Sequence, residues 1–119
     1  MRPLFPKDYR NDVTLNNMVM SVDENCRPEL LAMIGSAIAT SISDIPFDGP
    51  CATTQIGMID GEFIVNPSQA QWQDGDLQLT VASTKQKVIM IEAGAIEIPE
   101  DKMIEAIYKA HDINQTIIA

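Results

Sequence analysis

The stretch that decides the fold is PELLAMIGSAIATSISDIPFDGP, which runs from Pro28 to Pro50. Its large apolar residues recur at three- and four-residue steps, the period of a helix with one buried stripe. Small residues such as Gly35 lie between them and should let the helix pack flat and closely against a sheet. Pro28 suits a first helical turn, and Pro46 disfavours helical backbone at the residue before it. The predicted stripe consists of Leu30, Leu31, Ile34, Ile38, Ile42 and Ile45.

Strands are predicted on both sides of this helix. Residues 12–22, DVTLNNMVMSV, alternate in polarity, with a shift at Asn16-Asn17 that suggests a bulge or a strand buried on both faces. After the helix, Asp60-Gly61 separates CATTQIGMI from EFIVNP and supplies the positive φ angles of a tight hairpin turn. Two further runs, 77–82 and 87–92, predict a second hairpin.

The remaining segments complete an α+β prediction. Residues 99–113 carry a helical apolar stripe and begin with Pro-Glu-Asp, which suits a first turn. Residues 68–75 are polar and form either a short helix or a loop. We therefore predict a mixed or antiparallel sheet of about five strands with two helices packed on it, both on one face. Residues 1–11 hold two prolines and predict an extended lead-in to a single domain, 1–119.

Charge limits the kinds of partner. The chain has 17 acids and 8 bases, so its formal net charge is 8 − 17 = −9. This argues against non-specific nucleic-acid binding by the whole chain, because phosphate contacts need Lys and Arg. Arg2, Lys7, Arg10 and Arg27 make up half of the bases, and none occurs from Pro28 to Thr84. An RNA or phosphate site therefore belongs near the N-terminus, at Arg2, Lys7 and Arg10, unless these are simply solvated terminal bases.

The sequence gives little sign of catalysis. No phosphate-binding glycine motif is present, and His111 is the one histidine, without cysteine or carboxylate at metal-ligand spacing. Asp74 and Asp76 could hold Mg²⁺ through water, although such a pair is more typical of a solvated turn. We predict no catalytic residue and no metal site.

The compartment is indicated by what the sequence does not contain. Cys26 and Cys51 do not make a disulfide framework in a chain of 119 residues and are predicted to be reduced thiols. No apolar run has the length of a membrane span, and the N-terminus has no signal-peptide pattern. We therefore predict a cytoplasmic protein.

Five runs in order resemble the bacterial polynucleotide phosphorylase (polyribonucleotide nucleotidyltransferase) family and cover nearly all of residues 2–114. They are RPLFPKDYRND, SVDEN, LLAMIGSAIATSISDIPFDGP, GMIDGEFIVNP and DLQLTVAST. They match the later half of the first ribonuclease PH-like core. The resemblance implies a phosphorolytic 3′–5′ exoribonuclease of messenger RNA degradation, a trimer that binds RNA and uses Mg²⁺ in its second core. Such enzymes are several times longer, so we expect this chain to be a partial domain of a longer protein.

The resemblance also implies which functional positions are altered here. By similarity between the two cores, the phosphate-binding serine run of the second core falls on Arg27, Pro28 and Glu29. Its catalytic aspartate and lysine fall on Gln78 and Thr80, which carry no charge. The chain is therefore expected to be a catalytically silent copy of the fold that serves as scaffold, trimer contact and edge of the RNA path. The alternative is a non-enzymatic assembly module, whose exposed apolar faces should cause self-association.

Overall fold

The computed structural model describes residues 1–119 and confirms the α+β class. Its four strands form one antiparallel sheet in the order β2-β1-β3-β4. The elements in chain order are α1 (Pro28–Ile42), β1 (Ala52–Ile59), β2 (Glu62–Val65), α2 (Gln69–Asp74), β3 (Leu77–Ser83), β4 (Val88–Ala95) and α3 (Glu100–Ile118). Within residues 1–11 the regular element is a 3-10 turn at Arg2–Leu4.

Both predicted hairpins are confirmed. At the first turn, Asp60 has a φ of 52° and Gly61 a φ of 79°, the two positive angles that a type I′ turn requires. The second hairpin pairs β3 with β4, with an irregularity between Ala82 and Ser83. Turn chemistry of this kind is local, so the sequence alone determines it.

The prediction of about five strands is wrong, because residues 12–22 form no strand. These residues are exposed apart from half-buried Val13, and Met18 and Met20 are 75% and 85% exposed. An extended segment needs a neighbouring strand to take its backbone hydrogen bonds. No segment of the described chain pairs with residues 12–22, and their alternating pattern therefore has no sheet to join.

The main core lies between α3 and one face of the sheet. Ile56, Leu79 and Val81 project from β1 and β3 and are fully buried. Ala106 and Ala110 of α3 are also fully buried against them, and their small side chains let the helix approach the sheet closely. The helix extends five residues beyond the predicted end at residue 113. No helix of the protein has both the length and the apolar character needed to cross a membrane.

A buried hydrogen-bond network fixes the C-terminal part of α3. The Thr54 hydroxyl donates to Asn114 Oδ1 at 2.7 Å, and Asn114 Nδ2 donates to Ser83 Oγ at 2.8 Å and to the Val81 carbonyl at 3.2 Å. Asn114 has no exposed surface. Because buried polar groups are costly without partners, the network sets the position of α3 along the strands.

The predicted apolar stripe of α1 is only partly buried, and its outer residues face solvent. Leu31, Ile38 and Ile42 are 66%, 56% and 81% exposed. The buried positions of α1 are instead the small residues Ser36, Ala37 and Thr40. The expectation that Gly35 serves close packing is wrong, since a Cβ there would meet nothing within 4 Å.

The beginning of α1 and the helix α3 lie on opposite faces of the sheet. Thr54 and Gln55 are consecutive in β1, so their side chains point to opposite faces. Thr54 bonds to α3 through Asn114, whereas Gln55 accepts from Arg27, the residue directly before α1. The expectation that both helices share one face is therefore wrong for this end of α1.

Candidate functional site

Arg27, Gln78 and Thr80, which the resemblance places at altered functional positions, lie on the face opposite to α3. Arg27 Nη1 donates to Gln55 Oε1 at 3.1 Å, and Gln55 Nε2 donates to Thr80 Oγ1 at 3.4 Å. The Arg27 guanidinium also lies 4.5 Å from the centre of the Trp72 ring, within cation–π distance. Gln78 Nε2 donates to the Trp72 carbonyl at 2.9 Å. We call Arg27, Gln55, Trp72, Gln78 and Thr80 the Arg27 cluster.

The short helix α2 carries Trp72 into this cluster. Ser68 and Gln71 form a capping box, in which the Ser68 hydroxyl accepts from the Gln71 N–H and the Gln71 side chain accepts from the Ser68 N–H. At Gly75 the chain passes close to other backbone, because an added Cβ would lie 3.0 Å from the carbonyls of Gln71 and Met58. This tight exit holds α2 next to β1 and β3.

Arg27 is the one charged residue of the Arg27 cluster. The Arg27 side chain is 11% exposed and pairs with Glu29 at 3.4 Å. Its Nε is buried without a hydrogen-bond partner. Neither Gln78 nor Thr80 ionises at neutral pH, and no three His, Cys, Asp or Glu side chains of the structure converge as a metal site would require. The arrangement joins the start of α1, α2 and the sheet.

The three bases predicted for RNA lie in the N-terminal segment, which is anchored to the rest of the fold. Leu4 is 8% exposed, and its carbonyl accepts from the Asp48 N–H at 2.8 Å. Arg2, Lys7 and Arg10 are exposed and make no ion pair. Arg27, the fourth base of this part of the sequence, is held in the Arg27 cluster. Its side chain is therefore less accessible to a ligand than those of the three exposed bases.

Lys85 and Lys87 are candidate residues that the sequence reasoning missed. They lie in the β3–β4 turn and line a cleft of about 410 Å³ together with Pro3 and Leu4 of the N-terminal segment. The sequence does offer one indication of them, because they are the first two bases after the stretch from Pro28 to Thr84, which has none. Nothing in the sequence, however, shows that this turn meets residues 3–4.

Both cysteines are free thiols, Cys26 exposed and Cys51 buried. Burial raises the pKa of the Cys51 thiol, and the positive amino terminus partly opposes that effect. Cys51 packs with Leu4 and Ala37 in a second, smaller core cluster. Its environment is that of a structural apolar residue.

Comparison with known proteins places the sheet in a defined family. The model of the 3′ exoribonuclease family, domain 2 (RNase_PH_C), matches residues 49–113, which is more than half of the chain. The chain belongs to the 3′ exoribonuclease family. The residues that match this family include all four strands and most of α3, and the N-terminal segment and α1 precede them.

Relatives in this 3′ exoribonuclease family confirm the resemblance to polynucleotide phosphorylase. The polyribonucleotide nucleotidyltransferase of Lachnoclostridium phytofermentans is 72% identical over 118 residues, covering 99% of this chain and 17% of that protein. The protein of the same name from Anoxybacillus flavithermus is 50% identical over 119 residues, covering 100% of this chain and 17% of that protein. The chain thus spans about a sixth of the length of these relatives.

A solved structure supports the same fold. The crystal structure of rice (Oryza sativa) Rrp46 matches with a TM-score of 0.69 and 16% sequence identity, over 81% of this chain and 46% of that one. At this identity the likeness concerns the fold alone. Together with the match to the 3′ exoribonuclease family, it confirms the ribonuclease PH-like fold.

Proposed function

We propose that this chain works as part of a phosphorolytic 3′–5′ exoribonuclease, a polyribonucleotide nucleotidyltransferase of messenger RNA degradation. Such an enzyme cleaves RNA with inorganic phosphate and releases nucleoside diphosphates. The observation that carries the proposal is the 72% identity to a polyribonucleotide nucleotidyltransferase over 99% of the chain. The proposed setting is the cytoplasm, and the proposed assembly is a trimer.

Within this enzyme we assign to the chain a structural role without catalytic residues. The Arg27 cluster supports this role, since the positions of the catalytic aspartate and lysine hold Gln78 and Thr80, and Arg27 is committed to Gln55 and Trp72. Under the proposal Mg²⁺ is held in the second core. The residues of this chain do not fit the ion, because Asp76 is exposed and stands in no group of three metal-binding side chains.

Phosphorolysis by the chain itself tests the assignment. With poly(A), inorganic phosphate and Mg²⁺, we expect no ADP release from the 119-residue chain and phosphate-dependent release from a full-length enzyme that contains this sequence. The control is the full-length enzyme without phosphate. Release of ADP by the purified chain would overturn the structural role. Absence of release from the full-length enzyme would overturn the proposed activity.

The N-terminal bases are proposed to contact the RNA path. We expect alanine at Arg2, Lys7 and Arg10 together to weaken RNA binding by the full-length enzyme. The slope of log K for RNA binding against log salt concentration is negative, and its magnitude should decrease by about 2, since each single-strand phosphate contact contributes about 0.7. Fluorescence anisotropy of labelled oligo(A) at several salt concentrations measures both quantities.

A control for these three bases is a pair of lysines on α3. Lys102 pairs with Glu105 at 3.4 Å, and Lys109 lies 5.6 Å from the centre of the Phe63 ring. Alanine at both positions removes positive charge elsewhere on the surface and should leave the salt slope unchanged. An unchanged slope in the triple variant would contradict the assignment of Arg2, Lys7 and Arg10.

One observation favours a second candidate, a protein-assembly module. The outer face of α1 exposes Leu31, Ile38 and Ile42, and the segment before it exposes Met18 and Met20. Contiguous exposed apolar surface is typical of interfaces. This role is compatible with the first, because a structural part of an enzyme can also join its subunits.

A further inference from the structure

The bases that the fold leaves without a partner belong to two segments that meet in space. Arg27 and Lys102 are in ion pairs, and Lys109 lies against Phe63. The other five bases are Arg2, Lys7, Arg10, Lys85 and Lys87. The fold brings the N-terminal segment against the β3–β4 turn. In a chain of net charge −9, these five bases are the positive charges that the described contacts leave free for a polyanion.

The cleft between the two segments is lined by residues of both segments. Its volume is about 410 Å³, and Leu4, Ile89, Lys85 and Lys87 are among its lining residues, with Asp48 as the single acid. The turn that carries the lysines is held by Thr84, whose N–H donates to the Lys87 carbonyl at 2.8 Å. The Thr84 hydroxyl accepts from the Lys87 N–H at 3.2 Å. The two cations are therefore mounted on an ordered turn.

An aromatic cleft adjoins the basic one. It has a volume of about 400 Å³, is lined by residues 3–6 and 46–48, and shares Pro3, Leu4 and Asp48 with the basic cleft. The Phe5 and Phe47 rings lie 5.4 Å apart, and both are half-buried. Cations beside accessible aromatic rings are the combination that binds single-stranded nucleic acid, in which phosphates meet bases and nucleobases stack on rings.

We propose that single-stranded RNA lies across these two adjoining clefts, with its phosphates at Lys85 and Lys87 and a base against Phe5 and Phe47. This inference rests on the proposed function and adds the β3–β4 turn to the N-terminal bases. The occupant is a strand and not a free phosphate ion, because the cations line one cleft and the rings line the next. An ion would contact the lysines alone.

Titration of the ¹⁵N-labelled chain with oligo(A) at low salt locates the site. We expect the amide chemical shifts of residues 84–87, 4–5 and 47–49 to change. The amide chemical shifts of residues 100–109 in α3 should stay unchanged. Lys85→Ala with Lys87→Ala should weaken binding and lower the salt slope by about 1.4, from about 0.7 per phosphate contact. Lys102→Ala with Lys109→Ala removes the same charge and is the matched control.

The rings are tested separately. Phe5→Leu keeps an apolar side chain for packing but removes the stacking surface, so we expect oligo(A) binding to weaken about 5- to 100-fold with the native spectrum retained. Phe47→Leu is the second variant if Phe5→Leu does not fold. Inorganic phosphate should displace oligo(A) poorly.

Several results would overturn the proposal. These are shift changes confined to other residues, no binding at low salt, or equal weakening by the turn and α3 double variants. Full displacement by inorganic phosphate with no effect of either phenylalanine variant would mean a site for free anions. The readout does not depend on catalysis. A full-length enzyme that lacks phosphorolysis would therefore refute the proposed function and leave this binding test intact. Failure of the binding test would refute the proposed RNA site and leave the proposed function intact.

Discussion

Replacing Asn114 by leucine is expected to lower the free energy of unfolding by about 3–5 kcal/mol. Leucine shares the branched outline of asparagine and is larger, but it cannot bond to Thr54, Ser83 or the Val81 carbonyl, which all lose a partner. Each buried polar group left without a partner costs about 1–3 kcal/mol. Urea unfolding followed by circular dichroism measures the difference.

Two further variants make this prediction specific to the network. Thr116 is exposed on the same helix, and Thr116→Leu should change the free energy of unfolding by less than about 0.5 kcal/mol. In a double-mutant cycle, Thr54→Val should cost less in the Asn114→Leu background than in the native chain, because the hydroxyl it removes is already unpaired. Additive effects would show that the hydrogen bond between Thr54 and Asn114 contributes nothing of its own.

Replacing Leu79 by alanine is expected to cost about 2–5 kcal/mol of stability. Leu79 lies in β3, between β1 and β4, and has no exposed surface in the core under α3. Its truncation removes buried apolar contacts and leaves a cavity that the paired strands on both sides cannot close. The same urea experiment applies, and a loss below about 1 kcal/mol would contradict the packing described for this core.

The matched control is the same substitution on the outer face of α1. Leu31 is 66% exposed, so Leu31→Ala should change stability by less than about 0.5 kcal/mol. Sedimentation of the native chain and the variant adds a second readout. If the outer face of α1 joins copies of the chain, the native chain associates and Leu31→Ala weakens that association. A native chain that sediments as a monomer at all concentrations would count against the assembly role.

Part of the functional picture could be predicted from the sequence and part could not. The family resemblance and the loss of charge at Gln78 and Thr80 are properties of residue identity. The contacts of Arg27 with Gln55 and Trp72 join residues that are 28 and 45 positions apart, which no local pattern predicts. The meeting of the β3–β4 turn with Leu4 is likewise a result of the fold.

The sequence by itself determined the elements that are stabilised by interactions between residues close together in the chain. The Asp60-Gly61 turn and the start of α1 at Pro28 depend on backbone preferences of a few residues, and both were predicted. Tertiary structure decided which predicted surfaces are buried. Residues 12–22 and Leu31 carry strand and helix patterns, yet apart from half-buried Val13 they are exposed. A pattern states which face can be buried, whereas burial requires another segment to cover it.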